Sequence, residues 1–270
     1  MKKWKWKKYK DINYIGVDDW HKAGINMAFS SRAEGVSGGP YSSLNLGLHV
    51  GDQRESVLDN RCRCMEVFGT KLDSMVSCQQ VHGNRVAVVF GEDAACGARD
   101  LESALEGYDA MISNTPGVVL ATFYADCLPI IFCDPQKRVV GVAHSGWKGT
   151  MGKIGINAIC EMGKHFSSEP SDIEVFIGPG IGECCFEVQE DLAFKVNRHF
   201  AQIDGIINFR ENKYFWDLRL TNIKMLISCG IQPTNIINCD LCTSCLKDLF
   251  YSYRRDNGIT GRMGAFIGLR

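Results

Sequence analysis

The chain has 270 residues, 45% of them hydrophobic, with 30 basic and 31 acidic side chains for a net charge of -1. That length and composition suit one large α/β domain. The balanced charge gives no field favouring nucleic acid or an anionic membrane, and no apolar run approaches the ~20 residues of a bilayer span.

Residues 1–8 are basic, with two tryptophans and no apolar core behind them. They read as part of a solvated lead-in, 1–23, and not as an export signal. The expected location is therefore cytoplasmic, and the thirteen cysteines are expected to be reduced. A single catalytic domain is expected over 24–270. It opens with a strand at 24–30 and a loop rich in turn formers at 35–43. Residues 55–68 have helical spacing, with Val57, Leu58, Cys62, Met65 and Val67 largely on one side. Short strands at 75–79 and 85–90 are joined by the tight connection Val81-His82-Gly83-Asn84. Strands are expected at 109–113 and 118–124, the second covered on both faces because its apolar run lacks alternation. A hairpin-like pair follows at 130–133 and 139–143. Residues 150–166 read as a helix capped by the Thr150 hydroxyl, and 173–177 as a buried strand. Helices are expected at 187–200 and 217–229, and closing strands at 236–239, 250–254 and 264–269. This mixture predicts an α/β fold in which helices cover a mixed sheet.

Three residues stand out in turn or strand-edge settings: His82, Cys127 and His144. Two imidazoles and a thiolate suit Zn²⁺, and three protein ligands leave a fourth position free. Spacing alone leaves a metal centre and ordinary polar packing both open. Asp126 points away from Cys127 in an extended segment. It is open to three roles: orienting a ligand histidine, accepting a proton, or lying on the surface as a plain carboxylate. The turn His144-Ser145-Gly146-Trp147-Lys148-Gly149-Thr150 reads either as an anion site using Lys148 or as a tight strand-to-helix turn. Arg254, Arg255 and Arg262 form a basic group suited to clamping phosphate or to surface ion pairs. Cys62, Cys64, Cys78, Cys96, Cys133, Cys160 and Cys229 read as small core residues. The run from Cys239 through Cys242 to Cys245 lacks the fourth cysteine of an iron–sulfur motif and a nearby second ligand pair for zinc. The adjacent Cys184 and Cys185 read as packing.

These motifs together resemble the YfiH/YlmD-type family, also called the multicopper polyphenol oxidoreductase (laccase-like) or purine nucleoside phosphorylase family. The stretches that carry the resemblance begin with Ser31-Arg32 through Tyr41-x-Ser43-Leu44-Asn45-Leu46-Gly47, His49-Val50-Gly51-Asp52 and Gln80-Val81-His82-Gly83. They continue with Asp126-Cys127-Leu128-Pro129, Gly146-Trp147-Lys148-Gly149-Thr150, Cys184-Cys185-Phe186-Glu187-Val188 and Ser252-Tyr253-Arg254-Arg255-Asp256.

The resemblance implies a single layered α/β domain, similar in part to bacterial toxin deamidases. It implies that His82, Cys127 and His144 bind a metal, with Asp126, Cys127 and His144 as catalytic residues. Asn45, Lys148, Arg254 and Arg255 become candidate substrate or phosphate contacts. The implied activity is phosphorolysis of adenosine, inosine, guanosine and methylthioadenosine, with adenosine deamination. Its partners would be purine nucleosides and phosphate, with no nucleic acid and no membrane; oligomeric state is left open. Ser145 and Phe186 stand where many relatives carry Ala and Tyr. Copper-dependent phenol oxidation is also attributed to the family, so Cu²⁺ is the alternative to Zn²⁺. Zinc has no redox chemistry, whereas several coppers would need more histidines than the six present. Two further alternatives are a cysteine hydrolase or deamidase using Cys127 with His144 as base, and a metal-dependent scaffold without turnover.

Overall fold

The computed structural model describes residues 3–270. Strands β1 (Trp4–Tyr9) and β2 (Ile12–Val17) form a hairpin, and α1 (Asp18–Lys22) leads into β3 (Ile25–Ser30). Helix α2 (Arg54–Glu66) precedes β4 (Met75–Ser77) and β5 (Val86–Val88). Then come β6 (Ala110–Ser113), β7 (Val119–Tyr124), β8 (Leu128–Asp134) and β9 (Val139–Ser145). Helices α3 (Trp147–Met151) and α4 (Ile154–Phe166) are followed by β10 (Glu174–Ile177), β11 (Glu187–Val188) and α5 (Glu190–His199). The chain closes with β12 (Ile207–Arg210), β13 (Lys213–Trp216), α6 (Leu218–Ser228), β14 (Ile236–Asn238) and β15 (Met263–Leu269).

The strands build two six-stranded mixed sheets, β1-β2-β3-β15-β7-β4 and β14-β10-β8-β9-β6-β5, and a small sheet β11-β13-β12. Side-chain alternation decides how they stack. On β9, Val140 and Val142 join Leu120 and Tyr124 of β7 and Ile267 of β15 in one apolar cluster. Their neighbours Val139 and Ala143 join Ile154, Ala158 and Met162 of α4 in another. The first cluster therefore fills the space between the two large sheets, and α4 covers the far face of the second. Helix α2 covers the far face of the first, through Cys64 and Met65 against Ala121 and Phe266. The layers run helix, sheet, sheet, helix: the α/β class with covering helices is the one expected from the sequence, but two stacked sheets stand where one mixed sheet was expected. Every residue of β7, β8 and β9 is buried, which explains why their apolar runs show no polar alternation. Each large apolar side chain so buried contributes about 1.5–3 kcal/mol. Among the described residues, no helix is long and apolar enough to cross a membrane.

Several local expectations change. Within the segment expected as a lead-in, 1–23, residues 1–2 lie outside the described residues, 4–17 form a hairpin on the edge of the first sheet followed by α1, and Ile12, Ile15, Val17 and Trp20 are buried. Lys5, Lys7 and Lys8 lie on β1, where charge keeps an edge strand from pairing with other chains. Strands β4 and β5 are not neighbours; they lie in different sheets. The helix expected at 150–166 is two helices, broken at Gly152 and at Lys153, whose φ of 57° is left-handed. Thr150 is buried and its hydroxyl bonds Ser145, so it caps nothing. Residues 250–254 run through turns and not a strand. The β12–β13 hairpin was not expected. All thirteen cysteines are free thiols, and Cys62 and Cys160 are exposed, not core.

Candidate functional site

The chain passes from the first sheet to the second twice, from β4 to β5 through residues 78–85 and from β7 to β8 through residues 125–127. Left-handed backbone at Gln80, His82 and Asp126 (φ 59°, 59° and 85°) makes both passages tight. The Gln80 amide imitates a strand partner: Nε2 donates to the Phe123 carbonyl at 2.8 Å and Oε1 accepts the Phe123 N–H at 2.7 Å. The β8–β9 register sets Pro129 opposite His144, so Cys127 lies just beyond that pair. His82, Cys127 and His144 consequently place their ligand atoms within 4.8 Å of one another. The two imidazole rings meet edge to face, with centroids 4.9 Å apart.

Asp109 organises this group from beneath. It is fully buried, and its Oδ1 lies 2.9 Å from His144 Nδ1. The same oxygen accepts the His82 N–H at 2.9 Å, and Oδ2 accepts the Gly83 N–H at 2.7 Å. Engaging Nδ1 leaves Nε2 of His144 to face the cluster. The sequence left the orienting role open for Asp126; Asp109 fills it. Asp126 instead accepts the Thr243 hydroxyl at 2.7 Å and the Arg254 N–H at 2.7 Å, tying two C-terminal loops to the 125–127 turn. Gly146 completes the cradle. A Cβ there would stand 2.8 Å from Cys127 Sγ and 3.3 Å from His82 Cδ2, so the position requires glycine.

Burial alone would push the Cys127 thiol up, but His144 and His82 outweigh it and bring it down to about 6. Burial likewise pulls His144 down, yet the Cys127 sulfur and Asp109 raise it to about 9. Both shifts express one thiolate–imidazolium attraction. A thiolate is the form of cysteine that ligates a metal or attacks as a nucleophile.

A cavity of about 540 Å³ opens over the cluster, within the range of small-molecule sites. Phe123, Trp147, Ile181 and Phe186 line it with apolar surface, and His49, Tyr253, Arg254 and Arg262 bring polar groups. Desolvation in the cleft, then Arg262, hold His49 down at about 4, although its outer edge is exposed. The donor set fits one borderline-soft cation: His144 is buried, its tautomer is fixed by Asp109, and the exposed His82 leaves the cavity side free.

The expected phosphate contacts separate. Lys148 is exposed, with Nζ 5.6 Å from the Trp147 ring centroid, and it is not among the cavity-lining residues. The Arg255 guanidinium is spent on Asp256 at 2.8 Å through two nitrogens, and on the Thr243 and Phe250 carbonyls at 3.0 Å. Asn45 is fully buried; its oxygen accepts the Gly47 and Arg262 N–H groups and its amide donates to Asp52. Arg254 lines the cavity over the Phe186 ring, at 5.3 Å, and donates to the Glu187 carbonyl. Arg262 also lines it, and of its guanidinium nitrogens Nη1 donates to the Thr260 and Gly261 carbonyls.

A second cluster was missed. Cys184, Cys185, Cys242 and Cys245 also bring their sulfurs within 4.8 Å of one another. The two cysteine pairs, each incomplete in sequence, meet in space.

A family model described as multi-copper polyphenol oxidoreductase laccase matches residues 26–270. The chain is 40% identical over 251 residues to the purine nucleoside phosphorylase YlmD of Geobacillus stearothermophilus, covering 92% of this chain and 91% of that one. It is 36% identical to adenosine deaminase RL5 of an unknown prokaryotic organism, over 90% of this chain and 92% of the other. The crystal structure of YlmD from Geobacillus stearothermophilus matches with a TM-score of 0.90 at 37% identity, covering 98% of each chain. That of a Bacillus licheniformis hypothetical protein YfiH matches with a TM-score of 0.91 at 36% identity, covering 95% and 96%. By sequence and by fold across nearly its whole length, the chain belongs to the multi-copper polyphenol oxidoreductase laccase family, the YfiH/YlmD type.

Proposed function

We propose that this chain is a zinc-dependent, cytoplasmic purine nucleoside phosphorylase acting on adenosine, inosine, guanosine and methylthioadenosine, with adenosine deaminase activity. The observation that carries the reading is the convergence of His82, Cys127 and His144 at a cavity that also holds two arginines and aromatic walls. Relatives named purine nucleoside phosphorylase and adenosine deaminase support it.

His82, Cys127 and His144 hold the ion, which when bound supplies Lewis-acid polarisation at its open position. Asp109 keeps His144 in the ligating tautomer. Phe123, Trp147 and Phe186 receive the flat purine and exclude water. Arg254 and Arg262 hold the phosphate dianion in place of the expected Lys148 and Arg255, and Asp126 fixes the Arg254 backbone. In phosphorolysis a phosphate oxygen bonds C1′ as the N9–C1′ bond breaks and the base leaves with a proton. In deamination water adds at C6 and ammonia departs.

Histidine placement favours zinc over a laccase copper set. His21 lies beside Asn26, His165 pairs with Glu161 and His199 packs on Phe200, which leaves three histidines at the cavity. One specific observation favours a second reading. Asp109, His144 and Cys127 stand in the order of an orienting acid, a base and a nucleophile, as in a cysteine hydrolase. Chromatography of inosine and adenosine incubated with and without phosphate tests the first reading. Free base should appear only with phosphate; equal release without it overturns phosphorolysis.

A further inference from the structure

We propose that Cys184, Cys185, Cys242 and Cys245 form a tetrathiolate zinc site that staples two loops into one wall of the cavity, separate from the His82–Cys127–His144 centre. The topology brings the four together. Strands β10 and β14 are parallel neighbours, with Ile177 opposite Asn238. Their loops leave the same end side by side, and the pairing continues past the sheet through a bridge between Gly180 and Cys242. The Gly180 N–H donates to the Leu241 carbonyl at 3.2 Å, and the Thr243 N–H to the Gly180 carbonyl at 3.0 Å. Each loop then turns. The Phe186 N–H bonds the Gly182 carbonyl at 2.9 Å and the Leu246 N–H bonds the Cys242 carbonyl at 3.1 Å. Those turns aim both cysteine pairs at a common point.

The sulfur geometry is that of ligands around an ion, not of a covalent bond. Cys245 Sγ lies 3.5 Å from Cys184 Sγ and 3.4 Å from Cys185 Sγ, whereas a disulfide bond is about 2.05 Å long. A tetrahedral zinc with bonds of about 2.3 Å sets its sulfurs about 3.8 Å apart. The Gly182 N–H points at Cys242 Sγ from 3.2 Å, a hydrogen bond that stabilises a thiolate. A Cβ on Gly182 would meet Cys184 Sγ at 3.2 Å and the Cys242 Cβ at 3.3 Å, so the glycine lets this backbone close over the sulfurs. Four protein thiolates fill the coordination sphere, which makes the site structural and leaves no open position. Its position explains what it holds. Ile181 and Phe186 on one loop line the cavity, and Thr243 on the other bonds Asp126.

The test is zinc content of the purified full-length protein by elemental analysis, read beside native mass spectrometry and disulfide mapping of unreduced peptides. The wild type should carry about two zinc ions per chain, and Cys127→Ala and Cys245→Ser about one each, since each variant empties one site. Replacing zinc by cobalt in Cys127→Ala should give the intense visible bands and sulfur-to-metal charge transfer of a tetrahedral thiolate site. Cys245→Ser combined with Cys127→Ala should lose them. If Cys245→Ser fails to fold, native mass spectrometry of Cys127→Ala before and after chelation decides alone. Zinc-free Cys127→Ala overturns the proposal. So does iron in place of zinc, or a disulfide joining Cys245 to Cys184 or Cys185. Because Cys245→Ser keeps the other centre, failure of the three-ligand site is read separately.

Discussion

Replacing Asp109 by asparagine keeps the volume of the side chain but turns one acceptor into a donor. In one orientation the new amide faces the Gly83 N–H, at the site of a 2.7 Å bond. In the other it faces the His82 N–H and His144 Nδ1, each 2.9 Å from the oxygen it replaces. Either way a buried donor loses its partner, which costs about 1–3 kcal/mol of stability. The larger effect falls on the metal. An orienting partner of a ligand histidine is worth about 10–100-fold in metal affinity or activity, or about 1.4–2.7 kcal/mol. Zinc affinity should be measured by competition with a chromophoric chelator, and stability by calorimetry of the metal-free protein. Acid titration gives an independent readout. Burial would raise the Asp109 carboxyl, but the hydrogen bond to His144 and the N–H groups of Gly83 and His82 outweigh it and hold it below its ordinary value. A depressed carboxyl contributes stability that is present above the unfolded-state value and lost as pH falls through the folded one. Asp109→Asn should therefore flatten the acid limb of the stability profile. Zinc affinity within twofold of wild type, with an unchanged acid limb, would refute the role assigned to Asp109.

Gly146→Ala should weaken zinc binding at least tenfold with little change in thermal stability, because its Cβ meets Cys127 Sγ at 2.8 Å; unchanged affinity in a competition titration would count against the cradle. Arg262→Ala and Arg254→Ala should each raise the KM for phosphate by about 10–100-fold, the worth of a charged hydrogen bond of about 1.5–3 kcal/mol. Lys148→Ala should leave the KM for phosphate unchanged, and the reverse pattern in steady-state kinetics would move the phosphate site to α3. In zinc-loaded protein, peptide mapping should find Cys127 protected from iodoacetamide, and chelation should abolish turnover and expose it. In the metal-free protein its alkylation should rise with pH through about 6, where the imidazoles place its ionisation, and a midpoint near that of an ordinary thiol would remove the thiolate–imidazolium pair.

Much of the layered fold was readable because β7, β8 and β9 are long, apolar and flanked by turn formers. The β8–β9 hairpin followed from Asp134-Pro135-Gln136-Lys137, and its register is what brings Cys127 beside His144. The first hairpin was hidden because an edge strand protects itself with lysines, the same residues that mark a solvated tail. Asp109 escaped notice because a single carboxylate before an apolar strand carries no local sign of what it will face. Its partners lie 26, 27 and 35 residues away. Arg255 and Arg262 looked equivalent in sequence, and only the tertiary contacts show the first saturated and the second facing the cavity. The four-cysteine cluster was illegible for a related reason. Its halves are 60 or so residues apart, and only the parallel pairing of β10 with β14 makes them neighbours.

His82 and Cys127 sit on the two strand-to-strand passages that lead from the first sheet into the second, while His144 belongs to the second sheet itself. The distance between the donors is thus a gauge of how the two sheets ride on each other. Phe29 and Phe176 fill the apolar layer between them and do not line the cavity, so thinning that layer there should change the spacing without touching the cavity. The packed interior between the sheets is thus part of what sets the geometry of the three donors.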